Sequence, residues 1–129
     1  MDSPFIWHEL STPDVDASKK FYNAVFGWTT EGMEMDGMDF TYHLIKGGSG
    51  EMFGGMMPTN IPSMEGTPPH WAMYLQVDDV DATVASVKAN GGACHVEPMD
   101  VPMAGRMALC ADPQGASFWV MKPAPMPEG

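Results

Sequence analysis

Apolar positions along this chain fall into short blocks, and their spacing and turn residues mark out the elements. Phe5 to Leu10 is a short apolar-rich run that predicts a strand. It ends at Ser11-Thr12-Pro13-Asp14, a helix-start signal in which Asp14 is the expected N-cap. Val15, Phe21, Tyr22, Val25 and Phe26 then recur at helical spacing, so a helix with one buried face is predicted up to about Phe26, stopped by Gly27. Strands follow at Trp28–Met33, Met38–Lys46 and Glu51–Met57, with turns at Asp36-Gly37 and Gly47-Gly48-Ser49-Gly50. The order then repeats. A strand is predicted from His70 to Val77, a helix from Asp79 to Asn90 closed by Gly91-Gly92, and strands near Ala93–Glu97, Arg106–Ala111 and Ser117–Lys122. Thr59 to Pro69, rich in Pro, Gly and Ser, reads as an extended connector, and the Pro-rich end of the chain as a loose tail.

The second half is a copy of the first. Adding 65 to a residue number carries Leu10 to Leu75, Asp14 to Asp79, Val15 to Val80, Asp16 to Asp81, Ala17 to Ala82, Gly27 to Gly92, Gly50 to Gly115, Phe53 to Phe118 and Pro58 to Pro123, with no gap required. A constant offset over this length means two copies of one βαβββ unit, here residues 1–58 and 70–123 around the connector 59–69, with a tail at 124–129. Units so small bury too little apolar surface to stand alone, which predicts one domain of the α+β class built from the pair.

Composition narrows the function. With 129 residues and 44% hydrophobic content, the chain has the makings of one globular domain. A net charge of −11 opposes any phosphate backbone, so neither nucleic acid nor an anionic membrane surface is an expected partner. No apolar run approaches the ~20 residues of a membrane span, and no basic segment precedes an apolar stretch at the start, so a soluble, cytoplasmic protein is expected. Cys94 and Cys110 share no motif spacing and read as reduced, mostly buried thiols. Fourteen methionines suggest a core and pocket lined by adaptable side chains.

The run Phe21-Tyr22, then Phe26-Gly27-Trp28, and Asp112-Pro113-Gln114-Gly115 before the last strand, set on two βαβββ units, resemble the vicinal oxygen chelate superfamily over residues 4 to 123. That group contains glyoxalase, bleomycin-resistance and extradiol-dioxygenase proteins. The resemblance implies sheets curled into a cup, helices outside, a small-molecule site within, and frequent homodimers. It also implies a divalent metal held from the first and last strand of each module, which falls here on Trp7, Gly54, Ala72 and Trp119. Indole, hydrogen and methyl supply none of the oxygen, imidazole or thiolate donors that such ions need. No metal or other cofactor is therefore expected.

Residues two apart on a strand share a face, so the expected pocket adds Glu9 beside Trp7, His70 and Tyr74 beside Ala72, Ser117 and Met121 beside Trp119, and Met52 and Met56 beside Gly54. Such an aromatic and Met-rich lining suits a flat or apolar organic ligand. Glu9, desolvated among aromatic rings, is the candidate catalytic residue, as proton acceptor, proton donor or anchor. Arg106, the only arginine, is a candidate carboxylate clamp, against the alternative of a structural ion pair. His8 shares the parity of Leu10 and is expected to face the helix. The acid pairs Asp14/Asp16 and Asp79/Asp81 fit helix starts and are assigned no chemistry. The expected function is a metal-free small-molecule binding cup that sequesters its ligand or performs acid–base chemistry through Glu9. The alternative is a metal-dependent lyase or dioxygenase whose ligands have moved to Glu9, His43, Glu51 and His70.

Overall fold

A computed structural model of the protein describes residues 4–34, 40–61, 65–101 and 104–124. The turn expected at Asp36-Gly37, the start of the strand expected from Met38 and most of the expected tail lie outside the described residues. The elements run β1 (Phe5–Thr12), α1 (Val15–Phe26), β2 (Thr29–Glu34), β3 (Thr41–Lys46), β4 (Met52–Pro58), β5 (His70–Gln76), α2 (Val80–Ala89), β6 (Ala93–Val101), β7 (Gly105–Ala111) and β8 (Ser117–Pro123). This is βαβββ twice, as the repeat predicts. The described residues from 7 to 72 form one compact unit, and those from 73 onward, with the start of β1, form the other.

Local signals set the helix ends. Asp14 is extended and its side chain accepts the Ala17 N–H, while Gly27 closes α1 at φ +75°, a left-handed conformation that glycine adopts without a Cβ penalty. Asp79 caps α2 in the same way through Ala82.

In the first unit the strand order is β2-β3-β4-β1. β1 and β4 run parallel and the other neighbours antiparallel. Leu10, Ile45 and Met56 are buried on one face, and Tyr22 of α1, Trp28 and Phe53 pack around them. In the second unit the order is β5-β8-β7-β6, with β5 and β8 parallel. Val80 and Val84 of α2 close over Ala108, Cys110 and Val120. Strand β6 runs past the expected end at Glu97 to Val101 with two register shifts. Its position at the sheet edge explains why Pro98, which lacks an N–H, does not stop it.

The repeat is not gapless in space. Between β3 and β4, Ile45 pairs with Gly54 but Lys46 pairs with Met52, so Phe53 is an extra residue in a bulge. The corresponding stretch of β8 has no such shift: Cys110 pairs with Phe118 and Ala111 with Ser117. Beyond the bulge, Gly55 lies opposite both Glu9 and Leu44, as Trp119 lies opposite Tyr74 and Leu109. The spatial counterpart of Trp119 is thus Gly55, one residue past the position that the sequence offset gives.

Close strand approach also fixes Gly54, because a Cβ there would overlap the carbonyl oxygen of its neighbour His8. Gly54→Ala is expected to cost roughly 1–3 kcal/mol through overpacking against backbone. The check is a lowered urea midpoint at unchanged slope. Gly48→Ala, which meets open space, is expected to stay within about 0.5 kcal/mol of the parent protein.

Candidate functional site

Glu9 is buried, 7% exposed, on the face of β1 opposite Leu10. Its carboxylate Oε2 accepts a 2.9 Å hydrogen bond from the Tyr42 hydroxyl, and that hydroxyl accepts a 2.8 Å bond from the Trp7 indole N–H. Three side chains from two strands therefore form one chain of donors and acceptors, Trp7 to Tyr42 to Glu9. Alternation supplies the placement: Trp7 and Glu9 are two apart on β1, and Tyr42 is two before Leu44, which shares Gly55 as a neighbour with Glu9. Gly55 completes the arrangement. The Tyr42 ring lies against it so closely that any Cβ at this position would collide with the ring. Burial first, and then the Glu9 carboxylate, push the Tyr42 phenol far above its ordinary pKa, so it stays protonated and remains a donor.

Sequence reasoning placed Trp7 and Glu9 together but missed Tyr42. The only signal was its period-two relation to Leu44, and that becomes usable once the β3–β4 register is known. The same register corrects two expectations. Gly54 pairs with His8 and Met56 with Leu10, so both lie on the helix face, and Met56 is fully buried in the core there. Met52, past the bulge, pairs with Lys46 and is exposed. His8 takes the parity of Leu10, as expected.

In the second unit, Tyr74 and Trp119 stack with ring centroids 5.3 Å apart and planes 9° from parallel. Met121 and Met107 adjoin them in register. Ser117, at the start of β8, is exposed. Arg106 is not a free clamp. Its Nε and one terminal nitrogen hold both oxygens of Asp81 at 2.8 and 2.9 Å, and the other terminal nitrogen reaches Asp100 at 3.2 Å. The guanidinium fastens the start of α2 to β6 and β7, and its hydrogen bonds hold the Asp81 carboxyl below the usual range.

The relocated metal set does not assemble. Glu9 shares its face with Gly55 and Leu44, whereas His43 pairs with Met56 and so projects from the opposite face. His70 is exposed, its Nδ1 2.8 Å from the Pro68 carbonyl oxygen, and Glu51 is exposed ahead of β4. Ala72, like Trp7 and Trp119, is half-buried. The positions that the resemblance assigns to a metal carry indole, hydrogen and methyl, and taking Gly55, the spatial counterpart of Trp119, in place of Gly54 adds no donor. Among the described residues no three His, Cys, Asp or Glu side chains lie close enough to hold an ion. These residues do not fit a divalent metal.

His43 lines an open groove of about 620 Å³ with the start of α1, Thr41, Pro58 and Asn60, and this groove does not include Glu9. Its Nδ1 is buried without a hydrogen-bond partner among the described residues. Burial, then the Lys19 charge, lowers its pKa below 6.5, with Asp16 opposing.

The model of the Glyoxalase/Bleomycin resistance protein/Dioxygenase superfamily matches residues 5–120. The chain belongs to this superfamily. Among relatives of this superfamily member, CFP32 of Mycobacterium tuberculosis, named a putative glyoxylase, is 47% identical over 120 residues, covering 93% of this chain and 44% of its own length. The anthracycline biosynthesis protein DnrV of Streptomyces peucetius is 34% identical over 137 residues, covering 90% of this chain and 46% of its own length. The chain thus spans less than half the length of these curated relatives. A variant of Streptomyces coelicolor methylmalonyl-CoA epimerase in complex with 2-nitronate-propionyl-CoA aligns over 100% of both chains with a TM-score of 0.67 at 17% identity, a likeness of fold. No helix among the described residues is long and apolar enough to cross a membrane.

Tyr42→Phe removes the hydroxyl that both Trp7 and Glu9 use. A loss of about 1–3 kcal/mol is expected from the two lost hydrogen bonds, measured by denaturant unfolding. For His43 the sign follows from its lowered pKa. Between about pH 6.5 and the lower folded value the unfolded chain binds more protons, so stability falls as pH drops through that window. Unfolding midpoints measured across it should lose that component in His43→Gln. An unchanged slope would show that another group is responsible.

Proposed function

We propose that this superfamily member binds a small organic ligand on the Glu9 face of its first unit, with Glu9 as the polar anchor and no metal ion. The observation that carries this reading is a buried carboxylate held by a phenol that is itself held by an indole. Removing a carboxylate from water is costly, and a site that keeps one buried beside the Tyr42 hydroxyl and the Trp7 ring holds an acceptor among aromatic surface. A hydroxyl, amide or acidic C–H of a ligand is the complementary partner. Where that group is acidic enough, the same geometry transfers its proton to the Glu9 carboxylate while Tyr42 keeps the acceptor oriented. Trp7 fixes the Tyr42 hydroxyl by donating to it, which leaves the hydroxyl hydrogen for Glu9. The Tyr74–Trp119 stack offers a flat ligand a second apolar surface in its own unit.

The relatives are compatible with this class of ligand. One is named for anthracycline biosynthesis and another as a putative glyoxylase, and the epimerase of like fold holds a coenzyme A derivative. The rings and carboxylate of Trp7, Tyr42 and Glu9 favour an organic ligand, and the indole, hydrogen and methyl at Trp7, Gly54, Ala72 and Trp119 favour a metal-free site.

Native mass spectrometry of protein purified without chelator tests both parts. A co-purified organic molecule and no stoichiometric divalent ion are expected. Glu9→Gln keeps the shape but removes the charge and is expected to weaken that ligand by at least tenfold, about 1.4 kcal/mol at room temperature. A stoichiometric metal whose removal abolishes binding would overturn the metal-free reading. Undiminished binding by Glu9→Gln would overturn the role of Glu9.

A further inference from the structure

We propose that Cys94 and Cys110 form a dithiol oxidation site, which hydroperoxides convert to an intrachain disulfide joining β6 to β7. The two residues are direct partners in the antiparallel β6–β7 ladder. Opposed residues in such a ladder have Cα atoms about 4.5–5.5 Å apart, inside the roughly 4.4–6.8 Å span that a disulfide needs, so no strand has to move. Both side chains project from the α2 face, where Cys110 sits in the core with Val80 and Val84 and Cys94 packs against it. The Cys110 thiol lies within hydrogen-bonding reach of the Cys94 sulfur. These are the only cysteines in the chain, so each has one intrachain partner.

Access orders the chemistry. Cys94 is half-buried and Cys110 fully buried, so an oxidant from solvent meets Cys94 first. The Cys94 sulfur attacks one peroxide oxygen, the O–O bond breaks, and sulfenic acid forms with release of water or, from an alkyl hydroperoxide, an alcohol. The Cys110 sulfur then attacks the Cys94 sulfur, the S–O bond breaks, and a second molecule leaves as water. Both thiol protons end in those products, the two sulfurs are oxidised by two electrons in all, and the peroxide is reduced.

The surroundings tune the rate. Burial is the first cause that raises both thiols, Cys110 to about 11, and the Glu97 carboxylate adds to it, while Lys88 of α2 opposes. Thiols kept this protonated react slowly with peroxide, so the site responds to sustained rather than brief oxidant. Cysteine as a small core residue accounts for the burial of Cys110 but not for a second, more accessible thiol set opposite it.

The test uses the whole protein, treated with excess hydrogen peroxide, quenched, unfolded and alkylated. Loss of both alkylatable thiols is expected, with a cross-linked peptide pair containing Cys94 and Cys110 and recovery of both thiols by dithiothreitol. Cys110→Ala should instead accumulate sulfenic acid at Cys94, trapped by dimedone. Should that variant not fold, the peptide map of the unsubstituted protein decides alone. Two thiols still open to alkylation, sulfinic acid at Cys94 without a cross-link, or disulfides only between chains would each overturn the proposal.

Discussion

What the Glu9 face can hold depends on one extra residue in β4. Phe53 occupies a bulge between the Ile45–Gly54 and Lys46–Met52 pairs, and this places Gly55 opposite Glu9. A residue with any side chain at that point would collide with the Tyr42 ring. The bulge also turns Met56 toward the helix, where it joins Leu10 and Ile45 in the core. A one-residue slip in a strand exchanges its two faces, so a single inserted residue decides which side chains pack and which are left for chemistry.

The two units use equivalent positions differently. Where the second unit places Trp119 against Tyr74, the first has Gly55 and brings Tyr42 across from β3 to reach Glu9. One arrangement gives a stacked pair of aromatic rings. The other gives a buried carboxylate whose hydrogen bond to the phenol offsets part of its desolvation. The two copies of the framework therefore differ at equivalent positions, with a carboxylate in one and a stacked ring pair in the other. The helix sides remain alike, each helix opening with an aspartate cap at the same point of the repeat.

Charges elsewhere serve the framework. Arg106 gathers Asp81 and Asp100, tying α2 to β6 and β7, and Lys46 pairs with Glu31 across β2 and β3. In a chain with 17 acidic and 6 basic residues, the few cations used in this way leave most acids exposed to water. The sign of the net charge thus follows from composition, while the location of each pair follows from the strand register.

The sequence by itself determined the duplication, both helices with their aspartate caps, the α+β class and the superfamily, because caps, glycine stops and periodicity act over a few neighbouring residues. It also put Trp7 and Glu9 on one face of β1, since alternation within a strand is local. Only the tertiary structure decided what lies across from them. The Phe53 bulge, the close fit of Tyr42 on Gly55 and the pairing of Arg106 with Asp81 depend on strand-to-strand register and on contacts between residues far apart in the chain. An extra residue that bulges out of a ladder leaves the local hydrophobic pattern intact, so a gapless sequence repeat concealed a shifted one in space.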